Sequence, residues 1–102
     1  MTNTIEDDFL KKYGKILYTG EYALLKNDAL KYIELLKNKK FILGGDLYVE
    51  KDGELCPDAA NWFIEPESHT IEDSIIKSQE FIKQFNESKN LFFVFVLKKD
   101  KS

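Results

Sequence analysis

The feature that most constrains the fold is an uninterrupted run of seven apolar residues, Leu91–Leu97, in a chain of 102 residues. The run is too short for a buried helix and is rich in Phe and Val, which favours a β-strand. A strand that is apolar on both sides needs cover on both faces, so the run predicts a central strand of a sheet. The rest of the chain must therefore supply neighbouring strands and the helices that cover them.

Residues 5–13 have the pattern of an amphipathic helix with Thr4 as its N-cap. Ile5, Phe9 and Tyr13 recur at helical spacing and form the predicted apolar stripe. Acidic residues in the first turn and lysines in the last turn complement the helix dipole. We therefore expect a first helix that packs through this stripe.

Two further helices are expected from apolar stripes of the same kind. The second begins at a cap on Asn27 and runs to about Asn38. The third follows a cap on Thr70, with Asp73 in the position of a capping box, and runs to about Asn86. Both would pack on the sheet that contains the apolar run.

Strand-like segments occupy much of the remaining sequence. Asp52-Gly53 is typical of a tight hairpin turn, Gly44-Gly45 are expected to interrupt a strand, and Pro57 is expected to end one. The expected segments are a short strand or extended linker at 15–18 and strands at 41–43, 46–50, 55–56 and 61–64.

Together these elements predict one α+β domain over residues 1–102, with about three helices packed on a mainly antiparallel sheet of four to five strands. Residues 98–102 are expected to be a solvated tail. Local patterns do not specify the order of the strands.

The composition leaves little equipment for catalysis. Cys56 is the only cysteine and His69 the only histidine, so neither an intrachain disulfide nor an imidazole-rich metal site is expected. The acids between Asp46 and Asp58 lack the spacing of a calcium loop. No apolar segment reaches the roughly 20 residues that a membrane-spanning helix needs, and no secretory signal is expected. We expect a cytoplasmic protein that is not an enzyme and needs no cofactor or metal.

The charge is unevenly distributed along the chain. Residues 46–73 contain nine acids and one lysine, nine minus one giving a net charge of −8 within a chain of −3 overall. Every positively charged side chain is a lysine, and the acidic segment would repel phosphate, so nucleic acid is not an expected partner. Such a segment is either a solvated surface or a surface that attracts a basic partner.

Gly44-Gly45-Asp46 lacks the spacing of a phosphate-binding glycine loop and leads into a strand rather than a helix. A β-bulge, or a bend where another backbone comes close, explains the two glycines. Asp46 then either caps local N–H groups or faces a partner. A hydrolase that uses Asp46 with a neighbouring acid is the enzyme alternative.

Trp62 is the only tryptophan and fits two roles, a core side chain or an interface anchor. In the second role, Trp62, Tyr22 and Tyr48 would form apolar anchors with an acidic rim. Such a surface suits binding of a basic protein.

Four segments and part of the last helix carry a family resemblance. They are Gly20-Glu21-Tyr22-Ala23-Leu24, Ala29-Leu30 with Ile33 and Leu36, Ile42-Leu43-Gly44-Gly45-Asp46-Leu47-Tyr48 and Asn61-Trp62-Phe63, with Ser78 and Phe81-Ile82 on the helix. Their order and spacing resemble immunity protein family forty of bacterial polymorphic toxin systems, which is marked by a Gly-Gly-Asp motif and a tryptophan. The resemblance spans about residues 20–85. It implies a cytoplasmic protein, encoded beside a toxin, that protects the producing cell by binding the toxin domain.

The resemblance and the acidic segment together define an expected partner surface. Toxins of such systems are frequently nucleases with basic clefts, which the acidic segment would cover as a polyanionic decoy. The expected contact residues are acids and aromatics, with two glycines shaping the motif: Glu21, Tyr22, Asp46, Tyr48, Glu50, Asp58, Trp62 and Glu65, with Gly44 and Gly45. The protein would be a monomer or weak dimer and would contact no membrane. The alternative is a small acidic adaptor or regulatory protein that binds another basic cytosolic protein.

Overall fold

The structure, a computed structural model, describes residues 4–99. This part of the chain contains three helices and five strands, with two strands between successive helices and one strand after the last helix. In chain order they are α1 (Ile5–Tyr13), β1 (Lys15–Ile16), β2 (Tyr22–Leu25), α2 (Lys26–Leu36), β3 (Ile42–Lys51), β4 (Glu54–Phe63), α3 (Ile71–Lys83) and β5 (Leu91–Leu97). The predicted α+β class with three helices is confirmed. The outer part of the predicted tail, residues 100–102, lies outside the described residues.

The five strands form one antiparallel sheet in the order β1-β2-β5-β3-β4. The apolar strand β5 is the middle strand, as its composition predicts, and it pairs with β2 on one side and β3 on the other. The last strand in the sequence is thus inserted between strands from the first half. Strands β1 and β4 form the two edges.

The two faces of the sheet have different cover. Directly opposed residues of neighbouring strands point to the same face, and Leu24, Phe93 and Leu47 form one such row. This row packs against the apolar side chains of α2 and α3, including Ile33 and Ile82, in the main core. All three helices contribute to this core. We call this side of the sheet the helix face.

The opposite side carries no helix residue in its apolar cluster, and we call it the open face. Phe92 and Val94 of β5 are buried there beneath Leu17, a residue that follows β1, while Val96 is 40% exposed. The prediction that β5 is covered on both faces is therefore wrong for its C-terminal end. Within the described part of the chain, helices pack on one face of the sheet, and the short segment at Leu17 packs on the other.

Two predicted strand breaks do not occur. Gly44 lies inside continuous β3 and pairs with both neighbouring strands, because its φ of +150° lets the backbone pass close to the Trp62 carbonyl. Pro57 lies inside continuous β4, which is an edge strand where a missing N–H costs least. The pairing is irregular at two other places. Strand β3 has an extra residue opposite β5 between Ile42 and Gly44, and β4 has extra residues at 58–60 opposite Leu47.

The buried residue of the first helix does not belong to the predicted apolar stripe. Thr4 caps α1 as expected, its hydroxyl accepting a hydrogen bond from the Asp7 N–H. Ile5 and Tyr13 are exposed, whereas Glu6 is buried and pairs with Lys39 at 3.3 Å. The short α1 packs against the edge of the core, so only part of its apolar stripe finds cover.

The other helix boundaries are partly confirmed. Helix α2 begins at Lys26 directly after β2, so Asn27 lies inside the helix and does not cap it. It ends two residues short of Asn38, the end expected from the sequence. Helix α3 has the predicted cap at Thr70, although it ends at Lys83 rather than near Asn86.

Candidate functional site

Strand alternation places three of the predicted contact residues on the open face. Asp46, Tyr48 and Glu50 occupy every second position of β3 and point to the side opposite the helices. The Asp46 side chain is exposed, and the residue opposite it on β5 is the buried Val94. The floor of this surface is therefore the small apolar cluster of the open face.

Three groups on this face lie close enough to Tyr48 to influence its ionisation. Partial burial raises the pKa of Tyr48, and the negative charges of Glu21 and Asp46 and the neighbouring Tyr18 raise it further. Tyr18, in the turn after β1, is fully exposed. We call Tyr18, Glu21, Asp46 and Tyr48 the acidic-aromatic cluster. It combines residues about 25 positions apart in sequence.

The acids of the open face differ in their partners. Glu50 forms an ion pair with Lys15 of β1, and the Lys15 ammonium lies 5.9 Å from the centre of the Phe92 ring. Glu21 accepts a hydrogen bond from the Thr19 hydroxyl at 3.1 Å. Within residues 4–99, neither Glu21 nor Asp46 has an ion pair. The charge of Glu50 is thus largely compensated, and the charges of Glu21 and Asp46 are not.

Trp62 points to the helix face, away from the acidic-aromatic cluster. Its indole N–H donates a hydrogen bond to the Ser78 hydroxyl at 3.0 Å. The ring stacks on Phe81 with centroids 4.8 Å apart and meets Phe95 edge-on at 5.7 Å. Of the two roles open to this side chain, its place in the structure is that of a core residue.

The second glycine of the Gly-Gly-Asp motif serves this packing. The Trp62 ring and the Val94 carbonyl occupy the space that a Cβ of Gly45 would need. The motif therefore lets the backbone of β3 pass beneath a large ring on one face while Asp46 is presented on the other. The sequence interpretation of the glycines as places of close backbone approach agrees with this geometry.

Three other predicted contact residues lie away from the cluster. Tyr22 is half-buried next to the open-face residue Ala23 and points to the opposite side of β2. The Asp58 carboxylate accepts a hydrogen bond from the Ala60 N–H at 3.0 Å within the irregular part of β4. Glu65 lies in the loop after β4, where a hydrogen bond with Glu67 raises its pKa. The acidic segment 46–73 therefore does not form one surface.

An apolar notch next to the cluster is a feature that the sequence interpretation missed. Phe63 and Val96 flank Gly44 on the open face and are 69% and 40% exposed. The cavity measures about 230 Å³, and its lining is Leu43, Gly44, Gly45, Asp46, Asn61, Trp62, Phe63 and Val96. The alternation of Asn61, Trp62 and Phe63 was the signal that could have found it. We call this cavity the notch.

The groups to consider for metal binding or acid–base chemistry are the carboxylates, the single cysteine and the single histidine. Over residues 4–99, no three His, Cys, Asp or Glu side chains are grouped to hold a metal ion. The His69 ring contacts the Glu65 carbonyl at 2.9 Å and the Ser68 hydroxyl at 3.1 Å, which orient it within its own loop.

No helix within residues 4–99 has the length and apolar character required to span a bilayer.

A comparison with protein families assigns the fold to a known group. The family model described as Immunity protein 40 matches residues 9–97, which include the acidic-aromatic cluster and the notch. The chain belongs to the immunity protein 40 family. The match extends beyond both ends of the resemblance noted over residues 20–85 and confirms it. Searches of curated proteins and of solved structures gave no significant match.

Membership of the family supports an immunity role for this protein. The family suggests an inhibitor role, and it implies a toxin as partner and a polymorphic toxin system as context. These statements concern the family as a whole. Which surface of this chain meets the toxin is a separate question.

Proposed function

We propose that this protein neutralises a cognate, basic toxin domain by docking its open sheet face onto the toxin. The observation that carries the proposal is the acidic-aromatic cluster, in which Glu21 and Asp46 have no ion pair among residues 4–99 and Tyr18 is fully exposed. Carboxylates without compensating cations beside exposed aromatic rings suit a basic protein partner.

The two kinds of side chain contribute to different steps of binding. Carboxylates attract a basic surface before contact and raise the association rate. Aromatic side chains such as Tyr18 and Phe63 lose water on contact and slow dissociation. Tyr48 lies near both acids and offers its hydroxyl to the partner, because a tyrosine hydroxyl, with an ordinary pKa of about 10, is protonated at neutral pH.

The architecture supports use of the open face for this purpose. The three helices and the main core support the sheet from the other side, so the open face is presented on a scaffold that needs no rearrangement. A nuclease with a basic substrate cleft is the proposed class of toxin, and the carboxylates would cover that cleft. The protein would act in the cytoplasm, where it meets the toxin before the toxin reaches its target.

Co-expression with the toxin domain encoded beside this protein tests the proposal. The double variant Glu21→Lys/Asp46→Lys should lose protection of the host cell and fail to capture the toxin in a pull-down. The matched control is Glu72→Lys/Glu80→Lys, which makes the same charge change on exposed residues of α3. It should protect as the wild type does.

Two results would contradict the proposal. If the wild-type protein neither binds nor neutralises the toxin, the immunity function itself is wrong for this chain. If both double variants protect equally well, the toxin is bound elsewhere and the open face is not the docking surface. Circular dichroism of each variant separates loss of binding from loss of folding.

A further inference from the structure

We propose that the notch on the open face receives an arginine side chain of the toxin, with Asp46 as its carboxylate partner. This inference rests on the proposed function, because it assigns a particular contact to the surface described there. It commits to one occupant, a guanidinium group that projects from a basic protein.

The shape of the notch follows from three residues in one row across the sheet. Gly44 of β3 lies between Phe63 of β4 and Val96 of β5, so backbone forms the floor and two apolar side chains form the walls. The conformation of Gly44, with φ of +150°, and the nearby Trp62 carbonyl leave no room for a side chain there. The gap is therefore built into the backbone.

The polar end of the notch is formed by the next pair of residues on the open face, two positions further along β3. Asp46 of β3 is opposite Asn61 of β4, both are exposed, and both line the cavity. No hydrogen bond or ion pair of the Asp46 side chain is present within residues 4–99. An exposed carboxylate without a protein partner at the end of an apolar cleft is complementary to a cation that has an apolar stem.

Arginine fits this combination better than lysine. The guanidinium group is planar, so it can stack on the Phe63 ring while it donates two hydrogen bonds to the Asp46 carboxylate. Its weaker hydration lowers the cost of leaving water for a half-apolar site. The chain itself contains no arginine, so a second copy of this protein cannot supply the proposed side chain.

Titration of the full chain with blocked amino acid amides, followed by ¹⁵N–¹H NMR, tests the notch without the toxin. N-acetyl-arginine methylamide should shift the amide signals of Gly44, Asp46, Asn61, Phe63 and Val96 in a saturable manner. The corresponding lysine amide should bind at least about threefold more weakly, since it cannot stack or donate in a fork. The uncharged citrulline amide should cause no saturable shift.

Variants of the notch complete the experiment. Asp46→Asn and Phe63→Ala should each abolish the saturable shifts, whereas Glu72→Gln on α3 should leave them unchanged. Both notch residues are exposed, so the variants should fold, and the dispersion of their NMR spectra verifies this. The proposal is overturned if the arginine amide causes no saturable shift at the notch, if lysine binds equally well, or if Phe63→Ala binds as the wild type does.

The toxin assay separates failure of this inference from failure of the proposed function. If the wild-type protein and Phe63→Ala bind the toxin with equal affinity and both neutralise it, the notch inference is wrong while the immunity function stands. If the wild type does not bind the toxin, the proposed function is wrong whatever the amides do. A loss of toxin affinity of about tenfold in Phe63→Ala agrees with both.

Discussion

At the residue scale, adjacent aromatic residues of β4 have different physical roles. Strand alternation sends Trp62 to the helix face, where its ring stacks on Phe81 and its N–H reaches Ser78. The same alternation leaves Phe63 69% exposed on the open face. One ring therefore contributes to folding, and the other is available to a partner.

Substitution of each ring by alanine should separate these roles. Trp62→Ala should lower the free energy of unfolding by about 3 kcal/mol, because it removes a packed ring and leaves a cavity. Phe63→Ala should change that free energy by no more than about 0.5 kcal/mol, as expected for an exposed side chain. Urea denaturation followed by circular dichroism measures both. Equal losses in the two variants would contradict the assignment of the rings.

The sequence predicted the two candidate roles of Trp62 but did not decide between them. The decision depends on Ser78, Phe81 and Phe95, which lie 16 or more positions away in the sequence. They come near Trp62 only when β5 joins the sheet and α3 packs on the helix face. The fit of Gly45 beneath the ring is another long-range contact.

At the element scale, the sequence predicts helix ends that depend on a local capping side chain better than it predicts ends without one. The cap of α3 involves only Thr70 and Asp73, three residues apart, and the structure shows both bonds of the capping box at 3.0 Å. The sequence predicted it because the geometry is local. The start of α2 was mispredicted because β2 runs directly into the helix, and no capping side chain marks the boundary.

The α3 cap should contribute a pH-dependent part of stability. The hydrogen bond from the Thr70 N–H holds the pKa of Asp73 below its ordinary value. A depressed folded-state pKa stabilises the protein above the unfolded-state pKa of about 3.9, and this stabilisation is lost as the pH falls through the folded-state pKa. Wild type should therefore be more stable than Asp73→Asn at pH 7, and the difference should shrink towards acidic pH.

Urea denaturation at pH 7 and at successively lower pH measures this difference. Glu80→Gln is the control, because it removes an exposed acid from the same helix without removing a capping bond. If the difference in free energy of unfolding between wild type and Asp73→Asn stays constant down to the lowest accessible pH, the ionised carboxylate is not the source of the added stability.

At the scale of the whole molecule, one face of the sheet is packed by helices, and we propose the other for contact with a partner. All three helices pack on the helix face, whereas among residues 4–99 the apolar cover of the open face comes from the segment around Leu17. The acids of segment 46–73 are divided between the open face, the β3–β4 turn, strand β4, the loop after β4 and the start of α3. Only those near Tyr48 belong to the proposed docking surface.

This division predicts which acids accelerate association with the toxin. Asp46→Lys should slow association about tenfold at low salt, because it reverses a charge at the centre of the contact. Glu72→Lys, an equal charge change on α3, should have a smaller effect. The difference should shrink with added salt, since the screening length falls from about 10 Å at 0.1 M to about 3 Å at 1 M.

Stopped-flow mixing of the purified proteins at several salt concentrations measures these rates. If Asp46→Lys and Glu72→Lys slow association to the same extent, the effect follows net charge alone and the open face has no special part in steering. If neither rate depends on salt, electrostatic steering is absent.

The sequence by itself determined the elements whose signals are local: the central apolar strand, the caps at Thr4 and Thr70, and the hairpin turn at Asp52-Gly53. Backbone conformation and side-chain hydrogen bonds over three or four residues decide these features, so neighbouring residues are sufficient to predict them.

Only the tertiary structure decided the strand order and which distant residues share a face. Glu21 comes near Tyr48 because β5 joins β2 and β3 into one sheet, and Gly44 becomes the floor of a notch because Phe63 and Val96 lie on either side of it. Register and strand order depend on how the whole core packs, and a shift of one residue would send each side chain to the other face.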